Sequence, residues 1–336
     1  MTLADVARHA GFSRSTASLV FQDSPLVAAA TKAAVLTAAK ELGYVYDRRA
    51  AALRTRKSHT IGLLIPGLAN PFFAALVQAV EEQLSPSGFT VLLANTLESP
   101  ERQIAVLETL LEYRVDGLLI VPAIGSGPDV LQPLDHYGVP HVLLTRRIAG
   151  AAEGDWVGSD DRRGGQLAAE HLLDHGCQSL AYFGGPLDTY ARATRHDAFA
   201  DTVLTAGVTF AEEWSQGTET SSSAGYEAAR ALLQSGPPPE GLACHSDAIA
   251  FGAMRALRDA GWSVGEQVRV IGYDDVEHAR SWSPSVTSIS VSSDEMGRTA
   301  AALLLERIER PGRSASARTA VFTPTLQLRE SCGAHA

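Results

Sequence analysis

Short apolar segments alternate with amphipathic segments along the chain from residue 60 onward. Runs such as TIGLLIP (60–66), DGLLIVP (116–122) and VRVIGY (268–273) are followed by stretches whose apolar residues recur at helical spacing. Strands that are apolar on both faces are typical of parallel sheets covered by helices on both sides. The pattern therefore predicts an α/β fold with doubly wound sheets.

The alternating region is too long for a single hydrophobic core, which favours two similar lobes. Ligands of such folds bind at the carboxyl ends of the parallel strands. We therefore expect a ligand site in the cleft between the lobes.

The first 45 residues have a different pattern, in which apolar residues recur at the spacing of three short helices. Thr2 and Ser13 suit helix N-caps, and Gly11 suits the end of the first helix. Two short helices joined by a turn with glycine form a helix-turn-helix pattern, although the spacing alone fits a small helical bundle without a DNA role better. In GFSRSTASLVF (11–21), an arginine and several hydroxyl groups stand near the start of the second helix. That arrangement fits either an ordinary polar face or a surface for an anionic partner.

Charge is unevenly distributed along the chain. Residues 1–59 hold nine Lys or Arg and four Asp or Glu, whereas the whole chain has a net charge of −10. A basic head on an acidic body favours contact with a polyanion such as nucleic acid. Residues 46–59 combine arginines with Ala50–Ala52 and Leu53, so we interpret them as a linker that becomes helical on a partner.

Several functional classes lack support in the sequence. We expect no membrane span and no secretory signal, and three dispersed cysteines suit a reducing cytoplasm. No nucleotide-binding or hydrolase motif is present, so we expect neither an enzyme with catalytic residues nor a cofactor. His171 and His175 have a spacing that can bind zinc, but no third ligand is evident, and we expect no metal site.

Longer motifs identify a resemblance that covers essentially the whole chain. TLADVARHAGFSRSTASLVF (2–21), AAALRTRKSHTIGLLIPGLANPFFAAL (50–76), VGSDDRRGGQLAAEHLLDHG (157–176), SDAIAFGAMRALRDAG (246–261) and LQLRESC (326–332) occur in order. Together they resemble the lactose/galactose-repressor family of bacterial transcription regulators.

The resemblance implies a particular domain organisation. It consists of a helix-turn-helix head (1–45), a hinge helix or linker (46–59) and a body of type I periplasmic-binding-protein-like architecture. The N-lobe of the body would be 60–158 plus 290–318, and the C-lobe 159–289 plus 319–330. Members of the family act as homodimers on near-palindromic operators.

The resemblance also assigns candidate DNA contacts. The second helix would lie in the major groove, where Arg14 reads guanine and Leu19 touches only an apolar edge such as the thymine methyl. Leu53 matches the hinge leucine that wedges between base pairs in the minor groove. The complete set of implied DNA-binding residues is Arg14, Ser15, Thr16, Ser18, Leu19, Arg48 and Leu53.

Two departures from the family pattern occur in this region. Tyr46 and Asp47 stand where Pro-Asn is common, and Ala28 replaces a serine that usually caps the third helix. The lost cap costs about 1 kcal/mol of helix stability.

The resemblance implies a small effector between the lobes. The matching positions are Asn70, Phe72, Arg146, Arg195, Asp247 and Asp274. Each has a structural alternative, because Asn70 and Asp247 suit helix caps, Phe72 suits the core, and Arg195 with Asp274 suits an ion pair.

We expect a cytoplasmic, homodimeric, DNA-binding repressor that responds to a sugar or sugar derivative. Thr145 stands where aspartate is common, Ser246 where asparagine is common and Thr220 where a stacking aromatic is common, so the effector is expected to differ from the best-known ones. A purine or nucleoside effector is the alternative. An unregulated sugar-binding module would need an export signal and no helical head, which is the reverse of this sequence. The early end of the chain after LQLRESC favours a dimer over a tail-assembled tetramer.

Overall fold

The structure, a computed structural model, describes residues 1–22, 24–46, 57–310 and 316–333. The chain divides into two compact units, Met1–Ser58 and His59–Ala336. We call the first unit the head and the second the body. The two predicted DNA contacts Arg48 and Leu53 lie outside the described residues.

The described part of the head forms three helices, as predicted. They are α1 (Leu3–Ala10), α2 (Arg14–Phe21) and α3 (Ala29–Glu41). The Thr2 side chain accepts from the Asp5 backbone N–H, and Asp5 bonds back to Thr2, which forms a capping box. Ser13 caps α2 by accepting from the Thr16 N–H at 3.1 Å. Ala28 supplies no side-chain cap to α3, as the sequence indicates.

Small apolar side chains hold the three helices together. Val6, Ala17 and Val35 are completely buried between them. The ring of Phe21 stacks on Tyr46 with centroids 4.7 Å apart. Because α2 uses Ala17 and Phe21 for this packing, the start of the helix remains exposed.

The body contains two six-stranded sheets. The strands of the first sheet are β1 (Thr60–Ile65), β2 (Thr90–Asn95), β3 (Gly117–Ile120), β4 (His141–Leu144), β5 (Trp156–Ser159) and β11 (Thr319–Phe322). The strands of the second are β6 (Ser179–Phe183), β7 (Thr209–Phe210), β8 (Gly241–Cys244), β9 (Arg269–Asp274), β10 (Thr287–Ser290) and β12 (Thr325–Gln327). Their spatial orders are β11-β5-β4-β3-β1-β2 and β12-β10-β9-β8-β6-β7. All pairings are parallel except that of β10 with β12.

Helices connect the strands and cover the sheets. They are α4 (Pro71–Leu84), α5 (Pro100–Glu112), α6 (Gln132–Tyr137), α7 (Asp161–Asp174), α8 (Tyr190–Thr205), α9 (Ser222–Leu233), α10 (Asp247–Asp259), α11 (Glu277–Ser281) and α12 (Ser293–Glu309). Central strands such as β1 and β8 are almost entirely buried. The predicted α/β class, with a helical head and two doubly wound parallel lobes, is confirmed.

The chain passes between the two sheets after β5, after β10 and after β11. Helix α12 follows the second crossing and packs on α4, where an added Cβ on Gly297 would lie 2.7 Å from the Leu76 carbonyl oxygen. The third crossing differs from the sequence-based boundary near residue 319. Thr319–Phe322 pairs with β5 in the first sheet, so that segment belongs to the N-lobe and the C-lobe resumes at β12. The extended backbone of β11 completes the edge of the first sheet before the chain crosses.

Candidate functional site

A cavity of about 720 Å³ opens between the carboxyl ends of the strands of the two sheets. The N-lobe contributes segments after β1, β2, β3 and β4, and the C-lobe contributes segments after β6 and β8 together with the end of β9. This is the position that the doubly wound topology predicts for a ligand.

Arg195 on α8 is the central charged group of the C-lobe side. Its Nε donates to the Asp161 carboxylate at 2.7 Å, and one terminal nitrogen donates to the His245 carbonyl at 3.2 Å. The guanidinium carbon lies 3.6 Å from the centre of the Tyr273 ring. Burial alone would lower the pKa of Arg195, but Asp161 and Tyr273 hold it above its ordinary value. The group is therefore a fixed cation whose charge Asp161 balances.

Asp274 ends β9 and lines the cavity. Burial raises the pKa of its carboxyl to about 7, against the opposing effects of Arg195 and of a hydrogen bond from Asn70. Its backbone has φ +105°, and that of the following Asp275 has φ +54°, a region that ordinary residues rarely adopt. Such local strain is often found at ligand-binding sites.

The N-lobe side carries an ion pair and aromatic rings. Arg146, just after β4, donates to both carboxylate oxygens of Glu98 at 2.8 and 2.9 Å and to the Pro122 carbonyl at 3.0 Å. Phe72 and Phe73 at the start of α4 also line the cavity. Apolar rings beside polar groups suit a ligand with both an apolar face and hydroxyls.

His245 follows β8 and lines the same cavity. Its Nδ1 lies 3.0 Å from the hydroxyl of Tyr182, which is buried in the C-lobe. Burial lowers the pKa of the imidazole well below its ordinary value, and Arg195, Arg192 and Arg146 lower it further. The ring is therefore neutral at physiological pH.

Five of the predicted effector contacts line this cavity: Asn70, Phe72, Arg146, Arg195 and Asp274. Asn70 is also the N-cap of α4 and accepts from the Phe72 N–H at 3.0 Å. The cap alternative and the ligand alternative are therefore compatible for this residue.

Asp247 is not among the residues that line the cavity, which differs from the prediction. It is the first residue of α10, and its completely buried carboxylate accepts from the Ser288 hydroxyl at 2.7 Å and the Val276 N–H at 2.8 Å. Burial raises its pKa well above the ordinary value, and the charge of Asp274 adds to the rise. Ser246 caps α10 instead, by accepting from Ile249. Asp247 thus joins α10 to the segments around β10.

Five of the predicted DNA contacts are among the described residues, and all five lie on α2. Arg14 and Ser15 are exposed, and Leu19 is 37% exposed. Ser18 lies on the buried side of the helix, where its hydroxyl accepts from Gln22 at 2.9 Å. Ser18 is therefore less accessible to a phosphate than its neighbours.

Sequence reasoning missed Asp161, Glu98, Tyr182 and His245. The sequence does contain a signal for Asp161, since the pair Asp160-Asp161 follows a short apolar segment. The pair alone does not show which of the two binds Arg195, and in the structure Asp160 caps α7 while Asp161 accepts from Arg195. Glu98 and His245 become partners of distant residues only through the tertiary fold.

Within the described ranges, no group of three or more His, Cys, Asp or Glu side chains is arranged to hold a metal ion. The rings of His171 and His175 instead contact each other edge to face, 4.7 Å between centroids. No helix among the described residues is long and apolar enough to cross a membrane.

A helix-turn-helix head joined to a two-lobed body with a polar central cavity defines a ligand-responsive transcription regulator as the class of protein. Comparison with known proteins places the chain within that class. Residues 2–47 match bacterial regulatory proteins of the lacI family, and residues 169–332 match the periplasmic binding protein-like domain.

Full-length relatives agree with this placement. The HTH-type transcriptional repressor PurR of Yersinia enterocolitica is 35% identical over 91% of this chain and 90% of its own length. The PurR of Erwinia tasmaniensis is 33% identical over 98% of this chain and 96% of its own length. The chain therefore belongs to the lacI family of bacterial regulatory proteins, and its relatives are transcriptional repressors rather than enzymes.

Solved structures show the same likeness. The transcriptional regulator CelR in complex with cellobiose is 32% identical, with a TM-score of 0.73 over 98% of this chain and 99% of that one. The lac repressor dimer bound to operator and the anti-inducer ONPF is 25% identical, with a TM-score of 0.85 over 99% of both chains.

Proposed function

We propose that the protein is a homodimeric repressor that binds a near-palindromic operator through its head and is switched by a small effector in the cavity of the body. The observation that carries the proposal is the cavity itself, because both lobes supply polar side chains to it. A ligand that contacts both lobes favours one lobe arrangement, and a coupling of a few kcal/mol is enough to change operator occupancy substantially.

The accessible side chains of α2 support the DNA-binding part of the proposal. Arg14, at the exposed start of the helix, has two donors suited to guanine O6 and N7. Ser15 and Thr16 have hydroxyls suited to bases or phosphates, and Leu19 suits an apolar base edge. Arg48 and Leu53, outside the described residues, would complete the contact through the hinge.

The charges around the cavity support an uncharged effector. Among the described residues that line it, the two arginines, Arg146 and Arg195, each bond to a carboxylate. The lining also includes three further carboxylates, those of Asp188, Glu219 and Asp274. An anionic ligand would find no uncompensated cation, so a sugar phosphate or a nucleotide is disfavoured. Polar groups of both types beside phenylalanine rings instead favour a neutral sugar.

A purine base or nucleoside is the second candidate. The PurR relatives, at 35% identity, favour it. The cellobiose complex of CelR, at 32% identity, favours a sugar to a similar degree. The chemistry of the cavity decides our preference for the sugar, because carboxylates and an arginine can each bond to vicinal hydroxyls.

The test is fluorescence anisotropy of the full chain with labelled DNA from its own promoter region, at two salt concentrations. Neutral sugars, sugar phosphates, purine bases and nucleosides are added one at a time. We expect salt-dependent binding that one neutral sugar changes. A change caused only by purines would select the second candidate, and the absence of any specific binding would contradict repression at a local operator.

A matched pair of head variants tests the DNA face. Arg14→Ala is expected to weaken operator binding by about 1–3 kcal/mol. Arg8→Ala removes an exposed arginine of α1 that pairs locally with Asp5, and we expect a much smaller loss. Equal losses would show that only net charge matters, which contradicts base reading by Arg14.

A further inference from the structure

The backbone of His245 is held from two directions. Its N–H donates to the Phe183 carbonyl at 2.9 Å, and its carbonyl accepts from Arg195 at 3.2 Å. Phe183 belongs to β6, and Arg195 belongs to α8. The position of His245 at the edge of the cavity is therefore fixed by the strand and helix that also fix Arg195.

The imidazole ring is held as well. Nδ1 bonds to the Tyr182 hydroxyl, and the ring packs so closely over Gly185 that an added Cβ there would collide with it. Tyr182 is only 2% exposed, and the guanidinium of Arg192 lies over its ring at 5.5 Å. With Nδ1 engaged, Nε2 is the ring atom that keeps hydrogen-bonding capacity for a ligand.

The hydrogen-bond partners indicate where the single ring proton lies. Burial raises the pKa of the Tyr182 hydroxyl, so it keeps its proton. Among the described residues that hydroxyl has no acceptor other than His245, and its proton is satisfied only if it donates to Nδ1. A neutral imidazole with Nδ1 as acceptor carries its N–H at Nε2.

We propose that His245 is an effector-contacting selectivity residue, which donates its Nε2–H to one hydroxyl oxygen of a neutral effector, and that Tyr182 is its positioning residue. This inference rests on the proposed function of the cavity. His245 would supply a neutral, directional hydrogen-bond donor to the cavity. The charged groups that line the cavity are either arginines already bonded to carboxylates or further carboxylates. A ligand with an oxygen at the matching place is favoured over one that has hydrogen there.

The first experiment measures binding of neutral probes to the full chain by isothermal titration calorimetry. The probes are cellobiose, D-glucose and D-ribose, with hypoxanthine as a probe that has no alcohol hydroxyl, and the best-binding sugar is used for the variants. Binding of hypoxanthine alone would overturn the proposed hydroxyl contact. His245→Gln keeps a donor near the position of Nε2, whereas His245→Asn keeps one near Nδ1 only. We expect His245→Asn and His245→Ala to lose about 3- to 10-fold in affinity and His245→Gln to recover most of it.

The second experiment uses versions of that ligand in which single hydroxyls are replaced by hydrogen. Wild type is expected to bind one of these analogues about 3- to 10-fold more weakly than the parent ligand. In His245→Ala, that analogue and the parent ligand should bind with equal affinity. Tyr182→Phe is expected to weaken the same discrimination only partly, since it frees the ring without removing it. A merely structural role would weaken binding of all the analogues alike.

The outcomes separate the two proposals. Unchanged discrimination between analogues in His245→Ala, or no recovery in His245→Gln while the variant remains folded by circular dichroism, overturns the role of His245 and leaves the cavity assignment standing. If wild type binds none of the probes, nor any ligand of the anisotropy panel, the proposed effector cavity is wrong and the role of His245 falls with it.

Discussion

The two lobes share one architecture but bring different chemistry to the cavity. Their sheets have equivalent strand orders, each with an edge strand, β11 or β12, supplied by the chain's last segments. The C-lobe ion pair of Arg195 and Asp161 is nearly enclosed, with side chains 12% and 10% exposed. The N-lobe pair of Arg146 and Glu98 is more open, at 22% and 35%. The C-lobe wall of the cavity is therefore held by an enclosed ion pair, whereas the ion pair of the N-lobe wall is more exposed to solvent.

Arg195→Ala is expected to have the largest effect on stability. It leaves the buried Asp161 carboxylate without its partner, and breaking a buried pair in this way typically costs about 3–5 kcal/mol. Arg146→Ala, the matched N-lobe variant, breaks the more open pair and should cost about 1 kcal/mol or less. Urea denaturation followed by circular dichroism measures both. Equal losses would contradict the difference between the lobes.

Close helix packing provides the second test. Gly252 on α10 lies against α9, where an added Cβ would collide with the backbone of Ser222 and Tyr226. Gly297 on α12 lies against α4 with a wider separation, 2.7 Å from such a Cβ to the Leu76 carbonyl oxygen. Gly252→Ala is expected to destabilise the body by about 1–3 kcal/mol.

Gly297→Ala should cost less than Gly252→Ala, because its added Cβ would lie 2.7 Å from the nearest backbone atom, whereas the Cβ added at Gly252 would lie closer still to the Ser222 carbonyl oxygen. The better helix propensity of alanine offsets about 1 kcal/mol in both variants. Thermal unfolding of the two variants gives the comparison. A larger loss for Gly297→Ala would show that α12 and α4 are the more rigid pair.

Much of the fold follows from sequence pattern, for physical reasons. Strands such as β1 and β8 are apolar on both faces because they lie in the middle of covered parallel sheets. Strand β10, with the sequence TSIS, shows no such pattern, because the buried hydroxyls of Thr287 and Ser288 donate to the Arg329 carbonyl and the Asp247 carboxylate. Partners so distant in sequence are invisible to any local pattern.

Some residues of the site could likewise be predicted from the sequence, and others could not. Asn70, Arg195 and Asp274 were predicted from matched positions, and the cavity brings them together. Asp247 was also predicted as an effector contact from its matched position, with a helix cap as the alternative, yet it does not line the cavity. Both Ser246 and Asp247 suit a helix cap, and only the tertiary structure shows that Asp247 turns to Ser288.

The pH dependence of stability tests the cavity carboxyl of the C-lobe. The pKa of Asp274 is about 7 in the folded chain and near 4 when unfolded, so the folded state retains the proton longer. Its contribution to stability is complete below about pH 4 and is lost as the pH rises to about 7. Because Asp274 is only half-buried and borders the cavity, we expect a loss of about 1–2 kcal/mol between pH 5 and pH 8, relative to Asp274→Asn. Parallel pH profiles for wild type and variant would contradict the raised pKa.

The smallest expected effect comes from Asn70, which belongs to the N-lobe and lowers the pKa of Asp274 in the C-lobe. Asn70→Ala removes the cap of α4 and should cost about 1 kcal/mol. It also removes a hydrogen bond that lowers the pKa of Asp274, so the pH range over which stability falls should move upward. Ser99→Ala is the matched control, because Ser99 caps α5 of the same lobe by accepting from Arg102 at 3.1 Å and does not line the cavity.

Denaturation curves at several pH values separate the two roles of Asn70. The Ser99 hydroxyl also donates to Glu101 and lowers the pKa of that carboxyl, so the comparison is made between pH 5 and pH 8, above the range in which Glu101 titrates. A cap alone predicts that Asn70→Ala and Ser99→Ala lower stability equally across that range. A link between the lobes predicts an additional, pH-dependent change in Asn70→Ala that vanishes when Asp274→Asn is already present. If that change persists in the double variant, Asn70 acts on another titrating group, and the solvated N-lobe wall is not coupled to the C-lobe through this contact.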